Sequence, residues 1–194
     1  MNPDGSELTQ LTGDLGARES SASRVRPQQL RMNEYYTWPT WSPDGRRLAA
    51  SHVIVEESRT EITLQVLDAR TGHSNIVYEN NQAGLVADGA PHYIYWAPIG
   101  DQVSFLASTS EGLALFVWDG TSGRPAAQIS LGAPLYYQWS KDAQAMALHI
   151  GSELIWASPP SAVRSRQSFH TAGTFRVPAM SPDGSTLAYV DRTI

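Results

Sequence analysis

The chain has no cysteine among its 194 residues. That excludes disulfides, a thiolate nucleophile and any thiolate-ligated metal centre. It is almost without lysine as well: Lys141 is the single one, and arginine supplies the rest of the 14 basic residues. No basic run exceeds Arg46-Arg47, and the net charge is -5 at pH 7. This balance argues against a nucleic-acid surface. Long apolar runs are missing too. The longest, Leu113 to Trp118, is far too short to span a bilayer as a helix. The opening Met1-Asn-Pro-Asp-Gly-Ser-Glu7 lacks the apolar stretch of a signal peptide. Helical periodicity of useful length is absent as well.

What is present is a turn, repeated. Trp41-Ser42-Pro43-Asp44-Gly45 joins one strand-like segment to another. Pro43 pre-sets φ at the second turn position, Asp44 can bond its own backbone, and Gly45 takes the φ > 0 that other residues avoid. The unit returns as Trp96-Ala-Pro-Ile-Gly-Asp101, as Trp139-Ser-Lys-Asp142-Ala143 and as Met180-Ser-Pro-Asp183-Gly184. A second turn, Asp68-Ala-Arg-Thr-Gly72, is matched by Asp119-Gly-Thr-Ser-Gly123. The anchors Trp41, Trp96, Trp139 and Met180 lie 55, 43 and 41 residues apart. Four short strands in a unit of about 40–45 residues is the pattern of propeller blades. A β-sandwich also has many short strands, but it does not account for two kinds of turn repeating in phase.

The predicted organisation is all-β. Residues 1–12 hold the outer strand of an incomplete blade, and 13–33 form a loop rich in Ser, Arg and Gly. Blades follow over 34–79, 91–131 and 134–170, and residues 174–194 give the inner strands of another incomplete blade. A loop as long as 13–33 is usually either a surface segment without fixed structure or a lid. The three tryptophan anchors are expected to pack between blades.

The Ser-Pro-Asp-Gly turns at Trp41 and Met180, each followed by Leu-Ala, resemble the WD40-like (PD40) repeat of TolB-type β-propellers. Asn2 to Thr12 resembles the segment that precedes that motif in those proteins. The same repeat occurs in propellers of prolyl-oligopeptidase and dipeptidyl-peptidase-like proteins. Two copies depart from it: Ile99 stands in place of Asp, with the acid at Asp101, and Lys141 and Ala143 replace Pro and Gly. The resemblance implies about four blades, either belonging to a larger ring or closed by the N-terminal strand or by a second copy of the chain. It implies an extracytoplasmic rather than a cytoplasmic setting. It leaves open the number of blades and the ligand, because unrelated functions share such blades.

No catalytic set emerges. Gly120-Thr-Ser-Gly123 lacks the strand–turn–helix setting of a nucleophile elbow. The histidines are scattered, without metal-ligand spacing. Asp44, Asp101, Asp142 and Asp183 read as turn caps rather than as calcium ligands. No cofactor is expected. The candidate ligand set lies three and four residues before the anchors: Trp38, Tyr93 and Tyr136, with His92 and Arg176, and with Tyr36 and Tyr137 alongside. The first strand of a blade is innermost, so these residues fall near the channel. They either form a sugar- or peptide-binding surface there or pack between blades as core. The expected function is a non-catalytic scaffold for a protein, a peptide or a small ligand at the channel mouth. The alternative is the accessory propeller of a serine peptidase whose hydrolase domain lies elsewhere. A propeller enzyme such as a polysaccharide lyase would need a His or metal constellation, which these residues do not assemble.

Overall fold

The structure, a computed structural model, describes residues 34–57, 60–80, 90–121, 123–159, 162–168 and 177–189. Fourteen strands and no helix occur among them. No helix of the described residues is long and apolar enough to cross a membrane. The expectations for residues 1–33 and for Arg176 fall outside the described residues.

Three meanders of four antiparallel strands and one two-stranded hairpin follow each other along the chain. The first sheet holds β1 (Glu34–Trp41), β2 (Arg47–Val55), β3 (Thr60–Asp68) and β4 (Ser74–Asn80). The second holds β5 (His92–Trp96), β6 (Val103–Thr109), β7 (Gly112–Trp118) and β8 (Ala127–Leu131). The third holds β9 (Leu135–Trp139), β10 (Met146–Ile150), β11 (Glu153–Ser158) and β12 (Ala162–Ser168). The hairpin is β13 (Ala179–Met180) with β14 (Leu187–Ala188), shorter than the strands the sequence suggests. Each sheet pairs its strands in chain order, and β1 touches β5 while β7 touches β9.

The turns repeat atom for atom. Ser42 Oγ donates to Asp44 Oδ1 at 2.6 Å and accepts from Arg47 N at 2.9 Å. Ser140 does the same with Asp142 and Ala145 N, and Ser181 with Asp183 and Thr186 N. The Asp carboxylates therefore spend their acceptors inside their own turns. These bonds hold Asp44 below the usual carboxylate range, and Asp183 at about 2, chiefly through the Ser42 and Ser181 hydroxyls respectively. At the second blade Ala97 supplies no hydroxyl, and Asp101 instead pairs with Arg47 of the first sheet.

The core lies between sheets. One cluster joins Ala49, Leu64, Val66 and Val77 of sheet 1 to Ile94, Trp96, Phe105 and Phe116 of sheet 2. A second joins Leu106, Leu115 and Val117 of sheet 2 to Leu135, Tyr137, Trp139 and Leu148 of sheet 3. The indoles of Trp96 and Trp139 reach back across these joints. Trp96 Nε1 donates to Thr40 O at 2.9 Å, and Trp139 Nε1 to Ser104 Oγ at 2.7 Å. Trp96 is 7% exposed and Trp139 6%. Trp41 corrects the expectation that all three tryptophans are buried between blades, because it is 54% exposed. Each anchor packs onto the preceding sheet, and no described sheet stands on that side of Trp41.

Candidate functional site

The first strands of sheets 1 and 2 share an irregularity at one position. In β1 the register with β2 shifts between Thr37 and Thr40, and in β5 the register with β6 shifts between His92 and Tyr95. Each is a bulge that adds one residue. Pro39, which cannot donate to a ladder, sits within the first, at the sheet edge where proline is tolerated. Both bulges put an aromatic residue in the left-handed region: Trp38 at φ 56° and Tyr93 at φ 48°. Bulky residues rarely go there, at a cost on the order of 1–2 kcal/mol each. Strain of this kind gathers at ligand-binding positions.

At both bulges the ring is exposed. Trp38 is 47% exposed and Tyr93 42%. The two ring centroids are 5.5 Å apart, and His92 lies 6.5 Å from Trp38 and 5.4 Å from Tyr93. Three rings from two sheets make one open platform. Beyond Tyr93 the platform runs into a cleft of about 470 Å³ between sheets 2 and 3 and the entry to β13. Tyr93, Tyr95, Tyr136, Gln138, Val177 and Pro178 define its walls, and none of the described lining residues is charged. A cleft of this volume suits a small ligand or a few residues of peptide. Tyr136 thus shares a space with Tyr93, and Tyr93 with Trp38.

Of the other two candidates, Tyr137 lies largely buried at the cleft's base and Tyr36 lies away from it. Tyr137 is 4% exposed and belongs to the core between sheets 2 and 3, where its hydroxyl donates to Tyr93 O. Burial pushes its phenol well above the usual tyrosine range. The reason is register. Strand β9 pairs with β10 without a bulge, so Leu135, Tyr137 and Trp139 all turn toward sheet 2. Tyr36 stacks on His52, with centroids 4.4 Å apart, and its hydroxyl donates to Gln65 Oε1 at 3.5 Å. Its partner row faces away from sheet 2, since the neighbouring Ser51 donates to Pro91 O and Val53 packs against Ala90. Glu34 Oε1 accepts from Nε2 of the same imidazole at 2.8 Å, and Gln65 Nε2 donates to its Nδ1 at 3.0 Å. That network satisfies itself.

Sequence reasoning missed Tyr95, which is 46% exposed on the cleft. It sits one residue before an anchor, where simple alternation from the buried Trp96 turns it to the opposite face. Among the described residues no group of three His, Cys, Asp or Glu could hold a metal ion.

No family model matches the chain, and no curated protein matches it. Solved structures do. TolB from Acinetobacter baumannii superposes with a TM-score of 0.51 at 22% identity, covering 82% of this chain and 38% of TolB. An oligogalacturonate lyase in complex with manganese gives 0.48 at 16% identity, covering 79% of this chain and 46% of the lyase. The chain therefore spans less than half of each of these propellers. With its antiparallel meanders and repeated turns, it has the fold of a TolB-type β-propeller.

Proposed function

We propose that this chain is a non-catalytic propeller scaffold that binds a protein segment or a small ligand at the channel mouth. The observation that carries the reading is the pair of left-handed aromatic residues, Trp38 and Tyr93, on matching bulges beside an uncharged cleft of about 470 Å³. Rings displayed at a backbone cost, and left about half exposed, are poorly explained as packing. Tyrosine and tryptophan give large contact area with little side-chain entropy to lose. The described lining of the cleft is aromatic and uncharged, which suits an occupant held by ring contacts.

The test is a peptide selection against the wild-type chain, followed by titration of the selected peptides onto wild type, Trp38→Asn and Tyr136→Ala. Asparagine tolerates the left-handed backbone, so the first variant removes the ring and keeps the bulge. At least tenfold weaker binding to both variants is expected. Selected peptides that bind all three proteins equally would place the binding surface elsewhere and end this reading.

A further inference from the structure

We infer that the mouth is built for a proline-rich segment in the polyproline II conformation; this deepens the reading above and rests on it. The argument is an inventory of hydrogen-bonding groups. Along β5 three successive carbonyls are already engaged. Tyr93 O accepts from the Tyr137 hydroxyl, Ile94 O from Thr40 Oγ1 at 3.1 Å, and Tyr95 O from Ser104 Oγ at 3.0 Å. Gln138, the one amide side chain in the cleft, accepts through Oε1 from Met180 N at 2.7 Å. These three β5 carbonyls and the Gln138 amide oxygen are therefore already engaged within the chain. What the wall still presents is aromatic surface, with phenols at Tyr93 and Tyr95 and an indole at Trp38 that can donate.

This inventory selects among occupants. A strand added along β5 would need carbonyls that are in use, so strand addition is disfavoured. A sugar brings a donor with every hydroxyl and needs carboxylates or free carbonyls to receive them, and the described lining has no carboxylate. A charged ligand would be buried without a counter-charge. A prolyl amide is the complement. It has a carbonyl and no N–H, so it can accept from phenol or indole and leave no orphaned donor. Its ring packs on aromatic faces, and the chain is ordered beforehand, which lowers the entropy lost on binding. Exposed, rigid aromatic rings across a shallow platform and a cleft form the type of groove that polyproline II segments occupy.

The experiment titrates three probes onto the whole chain by calorimetry, with tryptophan emission read in parallel: decaproline, a Gly-Ser decapeptide and maltoheptaose. Saturable decaproline binding, at least tenfold weaker for Trp38→Asn and for Tyr136→Ala, is expected, with no heat from the other two. Thermal melts of each variant separate a lost ring from a lost fold, and Tyr93→Phe, which keeps the ring, should retain most of the affinity. Maltoheptaose binding with the same variant dependence, or selected peptides that are proline-free and lose affinity in the same variants while decaproline is silent, would overturn the proline inference. In both cases the mouth would stand as a binding site. Decaproline silence together with selected peptides that ignore Trp38 and Tyr136 would overturn both.

Discussion

The guanidinium of Arg47 lies over the indole of Trp96, 5.1 Å from the ring centroid, and is ion-paired with Asp101. Arg47 belongs to sheet 1 and both partners to sheet 2, so one side chain ties the two blades at their corner. The stacking is worth roughly 0.5–1 kcal/mol at a partly exposed site. The pair with Asp101, more than half exposed, adds less. Arg47→Ala is expected to lower stability by about 1 kcal/mol in urea melts. Arg47→Lys should recover only part of it, because an ammonium does not lie flat on the ring while it meets the carboxylate. A full rescue by lysine would reduce the contact to simple charge.

The anchors should separate in a mutational series. Trp96→Ala and Trp139→Ala each empty a buried joint and strand a hydrogen-bond partner, so losses of about 3–5 kcal/mol are expected. Trp41→Ala removes a ring that is 54% exposed and should cost less than about 1 kcal/mol. Equal losses at Trp41 and Trp96 would mean that Trp41 is covered in solution.

Gly45 and Gly184 test the turn without touching any packing. A Cβ built on either glycine meets nothing within 4 Å, yet φ is +67° and +74°. Gly45→Ala and Gly184→Ala are expected to cost about 1–2 kcal/mol each, through backbone strain alone. Ala143 already occupies the matching position at φ 58°. Thermal melts in which Gly45→Ala is neutral would show that the turn relaxes.

Acid should loosen these turns in a defined window. The carboxyl of Asp183 has a folded value of about 2 against an ordinary 3.8. Because the folded value is depressed, its contribution is fully present above the ordinary value and is lost as pH falls through the folded one. Asp44 shifts in the same direction for the same reason. Stability followed from pH 5 to pH 2 should therefore fall less steeply in Asp183→Asn than in wild type. Parallel curves would remove the linkage.

The repeat was legible because its causes are local. Pro43, Asp44 and Gly45 specify a turn within five residues, and Trp96 and Trp139 mark the strand entering the next one. What stayed hidden depends on pairing. Nothing in the run His92 to Trp96, set beside Leu135 to Trp139, announces that the first is bulged and the second is not. The difference lies in how each strand meets β6 or β10, and it puts Tyr93 in the left-handed region; counted back from the anchors, both strands bury the same position, Ile94 in one and Tyr137 in the other. The exposure of Trp41 was hidden for a related reason, since the burial of an anchor depends on what stands on its far side. Tyr36 lies on the other face of its strand, beside His52, which a count of aromatic residues does not reveal.

The unequal inner strands have a consequence for how an occupant lies. Repeated blades related by a simple rotation would present equivalent poses around the axis, and a bound segment would be shared among them. Here the first strands of two neighbouring sheets carry a bulge and the first strand of the third does not. An approaching chain meets a raised ridge of rings on one side and a level wall on the other. That breaks the degeneracy, so an occupant of the proposed site has one seat rather than several equivalent ones.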